Sequence, residues 1–191
     1  MISEVLEALN DQIRMELSSG YVYLAMAAEF ESASYEGFAH WMRLQAQEEL
    51  DHAMKLFDYV NRRGGRVVLQ EIPCPPESFG SPLDAFRDAL EHEQQVTASI
   101  HRLYALAGEH GDIATQRELD WFVTEQVEEE ENAGRAVDLL SRAGEDASAL
   151  LFLDREFGAR SQGGRATEPG PTNPARPSRR PTASPGRRDR I

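Results

Sequence analysis

The sequence predicts an all-α protein: a four-helix bundle with one long crossover, a short fifth helix and a disordered C-terminal tail. Three observations predict it. All ten prolines fall in two windows, 73–82 and 169–185, which leaves two long proline-free blocks for helix. Apolar residues recur through both blocks at steps of three and four, the spacing of a buried helical stripe. Residues 159–191 have no aromatic and almost no aliphatic side chain, too little apolar surface to offset the entropy of ordering them.

The elements follow in order. A first helix spans about 3–31, with the seam Ile2, Leu6, Leu9, Ile13, Glu16, Gly20, Tyr23, Ala27, and "ESASYEG" (31–37) ends it. A second spans about 35–63, with the seam Phe38, Met42, Gln45, Glu49, His52, Leu56, Tyr59 and Gly64-Gly65 as its stop. The link at 64–81 contains "RVVLQEI", of extended character, without a convincing strand. It is long enough to run the length of a bundle, so the second and third helices are expected to lie parallel. The third helix, about 82–109, carries Phe86, Leu90, Glu93, Thr97, Ile100 and Tyr104. After "GEHGDI" the fourth, about 113–143, carries Leu119, Phe122, Gln126, Glu129, Ala133, Ala136 and Leu140. Gly144 and the polar "EDAS" precede a short apolar segment, "ALLFLDREFG", closed by Gly158. The expected division is a helical domain at 1–158 and a basic Pro/Arg-rich tail at 159–191. Met15, Met26, Met42 and Met54 read as core filler.

A chain of 191 residues is one ordinary domain with room for a core. No apolar run approaches the ~20 residues of a membrane span. The N-terminus lacks the basic and apolar regions of an export signal, and the single Cys74 has no intrachain partner, so a cytoplasmic location is expected. The net charge of −13 hides two opposite parts: the tail has eight arginines against Glu168 and Asp189, while residues 1–158 hold 12 basic and 31 acidic residues. An acidic body repels nucleic acid and attracts cations.

The stretch "QAQEELDHAM" (45–54) puts a carboxylate and an imidazole in the stripe a helix should bury. The other seams break in the same way. Glu16, Glu49, Glu93 and the pair Gln126/Glu129 each lie near the midpoint of their helix, and four helices of matched length bring those midpoints to one level. An unpaired ionised carboxylate in a dry core costs several kcal/mol, and no Lys or Arg lies on the seams. Protonation would relieve the cost; a bound cation relieves it better. Carboxylates with one imidazole and no thiolate suit iron or manganese. The ferritin-like carboxylate proteins use one Glu from each of two helices and Glu-x-x-His from the other two. Here Glu16 and Glu93 are the singles, Glu49 and His52 form one full pair, and the fourth helix offers Gln126-x-x-Glu129 instead. That substitution should hold one metal more weakly, as suits iron in transit.

"LNDQIRMELSSGYVYLAMA", "GFAHWMRLQAQEELDHAMKLFDYVNRRGGRV", "ALEHEQQVT" and "WFVTEQVEEE" together make residues 1–158 resemble the non-haem bacterial ferritins. The resemblance implies that Glu16, Glu49 and His52 hold a first ferroxidase iron. Glu49 would bridge to a second, served by Glu93 and Gln126. It implies a further iron site at Glu48, Glu125, Glu128 and Glu129, a tyrosine beside the dinuclear centre at Tyr23, and a nearby aromatic at Trp121. It also implies a 24-chain hollow homo-oligomer. Haem is not expected: Leu50 stands where the related haem-binding proteins place their ligating Met.

The expected function is iron storage. Fe(II) would be oxidised by O2 or H2O2 at the dinuclear centre, and Fe(III) stored as a hydrated oxide mineral. Acidic entry channels are expected, with Asp112, Glu118 and Asp120 as candidate residues. Two rivals differ in class: a DNA-protecting mini-ferritin anchored by the basic tail, and a di-iron oxidase or peroxidase that stores nothing. A tail partner, nucleic acid or an enclosing shell protein, has only an electrostatic signal behind it; the alternative is a solvated tail.

Overall fold

The proline-free blocks form helices. The computed structural model describes residues 2–160 and contains α1 (Ser3–Ser32), α2 (Glu36–Arg62), α3 (Pro82–Glu109), α4 (Ile113–Ala143) and α5 (Ala147–Gly158). Among the described residues there is no strand, and the expected "RVVLQEI" segment is extended without pairing. No helix is long and apolar enough to cross a membrane. The expected disordered tail falls almost wholly on 161–191, outside the described residues; Ala159 and Arg160 lie within them.

Helix starts are fixed by local polar chemistry. Ser81 and Asp84 make a reciprocal capping box ahead of Pro82, and Asp112 and Asp146 accept from the backbone N–H groups of Thr115 and Ala149. Helix α2 has no such cap of its own. Its Phe38 N–H donates instead to Asp154 Oδ1 of α5 at 2.8 Å, so the fifth helix caps the second. Gly37 makes this approach possible, since a Cβ there would lie 1.6 Å from the Asp154 carbonyl oxygen.

The crossover runs along α1. Asn10, near the start of α1, donates to the Arg66 carbonyl and accepts from the Val68 N–H, while Glu29, near its end, accepts from Ser78 Oγ and the Phe79 N–H. Those anchors are about 28 Å apart on a helix rising 1.5 Å per residue. The link therefore travels the length of the bundle and leaves α2 and α3 parallel. Helix α1 packs on α2, α3 on α4, and α5 on the starts of α2 and the end of α4.

The apolar core is divided in two. An aromatic cluster at one end includes Phe30, Phe38, Trp41 and Phe86, with Phe157 of α5 packed against it. A mostly aliphatic cluster at the other includes Leu9, Leu56, Val60, Ile100, Leu103 and Leu119. Between them lies a polar layer contributed by all four long helices.

Some seam positions are corrected. Ile2 is exposed and Val5 fills its place in the core. On α3 the buried stripe takes Ala89, Val96 and Leu103, while Leu90, Thr97 and Tyr104 sit half-buried beside it. Met54 is exposed with Leu50 one turn earlier, both on the face of α2 opposite its buried seam. The candidate channel acids are each paired with an arginine: Asp112 with Arg63 at 3.0 Å, Glu118 with Arg62 at 3.2 Å, Asp120 with Arg117 at 3.1 Å. Asp112 belongs to a clamp joining the end of α2 to the start of α4. Arg63 also donates to the Tyr59 hydroxyl, Tyr59 donates to Thr115 at 2.8 Å, and Thr115 donates to Asp112 at 2.8 Å.

Candidate metal centre

The polar layer is built where the seams predicted it. Glu16 and Glu49 are fully buried, and His52, Glu93, Gln126 and Glu129 are at most 4 % exposed. Gly20, one turn beyond Glu16, lets α1 close on α2 here: a Cβ would meet the Ala46 carbonyl at 3.2 Å and Glu49 Cβ at 3.6 Å.

One ligating atom from each of Glu16, Glu49 and His52 lies within 4.8 Å of the others. His52 Nδ1 is 3.9 Å from Glu49 Oε2. Glu16 Oε2 and both oxygens of Glu49 receive no hydrogen bond from any donor among the described residues. With no cation between them, these two carboxylates can be reconciled only by sharing a proton. Burial, then the charges of Glu93 and Glu16, push the Glu49 carboxyl well above its ordinary range.

Glu93 closes the layer from α3. Tyr23, buried in the seam of α1, donates its hydroxyl to Glu93 Oε1, and Gln126 Nε2 donates to Glu93 Oε2 at 3.2 Å. Burial raises the Glu93 carboxyl to about 7 in spite of these two hydrogen bonds. Burial and the neighbouring anion also push the Tyr23 hydroxyl far up, so it remains a donor at neutral pH.

A second cluster shares the imidazole. Ligating atoms of His52 and of Glu125 and Glu129, one helical turn apart on α4, lie within 4.8 Å of one another. Burial, then the Glu93 charge, raise the Glu129 carboxyl to about 8, opposed by the Gln45 amide, which donates to it at 2.7 Å. Trp121 packs its edge against the His52 ring, and the Lys55 ammonium lies 4.1 Å above the indole. Glu48 is half-buried and paired with Arg160, and Glu128 is exposed and belongs to neither cluster.

Four contributors escaped the sequence reading. Gln12 donates to Glu16 Oε1 at 2.8 Å and is itself held by the Ser99 hydroxyl at 2.6 Å, which fixes the Glu16 rotamer. One helical turn ahead of Glu16, Gln12 was readable as a buried polar neighbour; Ser99, 87 residues distant from Gln12, was not. His92 contacts Ser19 Oγ at 2.6 Å and sets its ring edge-on to Tyr23. Arg160, placed in the expected tail, reaches into the acidic layer.

A buried array of carboxylates and one imidazole, with no lysine or arginine among the buried described residues, is chemically a receptor for hard to borderline cations. Residues 6–143 match the family model described as a ferritin-like domain. The chain is 43 % identical over 158 residues to a bacterial non-heme ferritin of Staphylococcus haemolyticus, covering 83 % of this chain and 95 % of that one. It is 41 % identical over 157 residues to a bacterial non-heme ferritin of Staphylococcus aureus, covering 82 % and 95 %. Among solved structures, an open-pore ferritin of the archaeon Archaeoglobus fulgidus superposes with a TM-score of 0.83 at 50 % identity, covering 84 % of this chain and 99 % of that one.

Proposed function

The chain belongs to the ferritin-like family, among the bacterial non-haem ferritins, and on that premise we propose how its own residues carry out iron storage. The protein stores iron and has ferroxidase-type activity. In the proposed reading, two Fe(II) ions bind as substrate in the buried layer. Glu16, Glu49 and His52 hold the first, Glu49 bridges, and Glu93 with Gln126 serves the second. Two electrons leave the pair for O2 or H2O2. Burial raises the Glu16, Glu49, Glu93 and Glu129 carboxyls above their ordinary range, so metal entry competes with protons there. Glu48, Glu125 and Glu129 form the outward acidic step, with Glu128 at its exposed edge, through which Fe(III) passes to a mineral store. The proposed assembly is a 24-chain shell in the cytoplasm.

The observation that carries this reading is the pair Glu16 and Glu49. Three of their four oxygens are buried without any hydrogen-bond donor, beside an imidazole and away from any buried cationic side chain. A layer so built is costly unless a cation fills it.

The test is iron per chain after aerobic Fe(II) loading, read across a size-exclusion peak. Storage gives many tens of irons per chain on a particle of about 514 kDa, the mass of 24 chains of 21.4 kDa. About two irons per chain on a small oligomer would keep the dinuclear centre and refute storage, leaving a di-iron oxidase.

A further inference from the structure

We propose that Arg160 is a tethered cation that closes the outer acidic cluster and must be displaced before a metal ion can occupy it. The inference rests on the reading above, that Glu48, Glu125 and Glu129 take metal, and it concerns what competes for them.

Arg160 follows α5, and α2 holds it at four points. His40 Nε2 bonds its backbone carbonyl at 2.9 Å. Its guanidinium lies 5.1 Å over the Trp41 ring, donates to Gln45 Oε1, and donates to Glu48 Oε2 at 3.1 Å. Trp41, Gln45, Glu48 and His52 are spaced at four, three and four residues, one continuous stripe on α2. The guanidinium lies along that stripe and stops one turn short of the imidazole shared by both metal-capable clusters.

The contact with Gln45 extends its reach. A guanidinium only donates, so the Gln45 oxygen must face Arg160 and the Gln45 nitrogen must face away. That nitrogen is the group that donates to Glu129 Oε2 at 2.7 Å. Arg160 thereby neutralises Glu48 directly and ties up a Glu129 lone pair through Gln45. A metal ion taking Glu48 and Glu129 as ligands breaks both links at once. The arginine and its carboxylate partner are each about a quarter exposed, and pairs of that exposure are individually weak. The latch is therefore displaceable: it lowers affinity without abolishing it, and it keeps the cluster neutralised when no metal is present.

Two substitutions in the full-length chain separate charge from shape. Arg160→Gln removes the cation, and Arg160→Lys keeps a charge but loses the planar fork that bridges Gln45 and Glu48. The probe is Zn(II), redox-inert, titrated calorimetrically into chelator-stripped assembled protein. The wild type is expected to bind a third zinc per chain more weakly than the first two. Arg160→Gln should tighten that third step roughly three- to tenfold, with Arg160→Lys between, as displacement of a partly exposed ion pair requires. A third step of equal affinity in all three proteins overturns the latch while leaving the outer cluster as a metal site. Absence of a third step in every protein removes the outer site and the latch with it. A zinc-loaded crystal structure is the second readout. Zinc bound by Glu48 and Glu129, with Arg160 withdrawn, is expected, and the guanidinium still on Glu48 with zinc in place refutes displacement.

Discussion

Replacing Glu93 by glutamine should make the metal-free protein more stable at pH 8 and leave it nearly unchanged at pH 5. Burial raises the Glu93 carboxyl from its ordinary 4.5 to about 7. Between those values the folded chain holds a proton that the unfolded chain releases. Stability therefore falls as pH rises through that window, and the full cost is present above about pH 7. A shift of that size corresponds to about 3 kcal/mol. Glutamine fills the same space without a charge, and its carbonyl can still accept from Tyr23. It also removes the anion that raises the Glu49 and Glu129 carboxyls, which adds to the gain at high pH. For a chain of this length the expected rise in Tm at pH 8 is about 6–12 °C. The assay is calorimetric melting of chelator-treated wild type and variant at pH 5 and pH 8. Zn(II) should then reverse the order at pH 8, stabilising wild type more than the variant. An equal difference in Tm at the two pH values would refute the assignment of a buried, ionisable, uncompensated carboxylate at this position.

Gln12→Leu should leave the fold intact but remove the donor that Glu16 Oε1 has among the described residues; loss of such an orienting hydrogen bond is expected to slow initial Fe(II) oxidation roughly 10–100-fold, read by stopped-flow absorbance, and an unchanged rate would show that metal alone fixes the carboxylate. Gly37→Ala forces a Cβ into the Asp154 carbonyl, so α5 should dislodge at a cost of about 1–3 kcal/mol. Limited proteolysis after Ala143 and a lower Tm would register the change, and wild-type resistance would show that the two helices part without loss.

Helix type and extent were legible because they rest on local chemistry. Proline, glycine and the three-four apolar rhythm mark the ends of all five helices within a few residues, and the seam of α2 is buried at all seven positions named. The acids of the inner layer were legible for the same reason: Glu16, Glu49 and Glu93 violate the rhythm, and a violation of burial chemistry is visible in one dimension. Met54 was misplaced because hydrophobicity alone does not say which side of a helix a residue occupies when both sides carry apolar groups.

Pairing across helices is set by packing. Asp120 meets Arg117 of its own helix, whereas whether Asp112 and Glu118 are open channel acids depends on Arg63 and Arg62, which the end of α2 brings to them. The same holds for Ser99 behind Gln12, Asp154 capping α2, and Arg160 on Glu48, a contact spanning 112 residues. Periodicity records how each helix meets the core, since that depends on neighbours three and four positions away. It carries no record of which polar groups meet between helices, because that depends on rotation, register and close approach at residues such as Gly20 and Gly37. A helical bundle with a buried acidic layer follows from the sequence; the packing of its helices sets which donors orient that layer and which cation lies beside it.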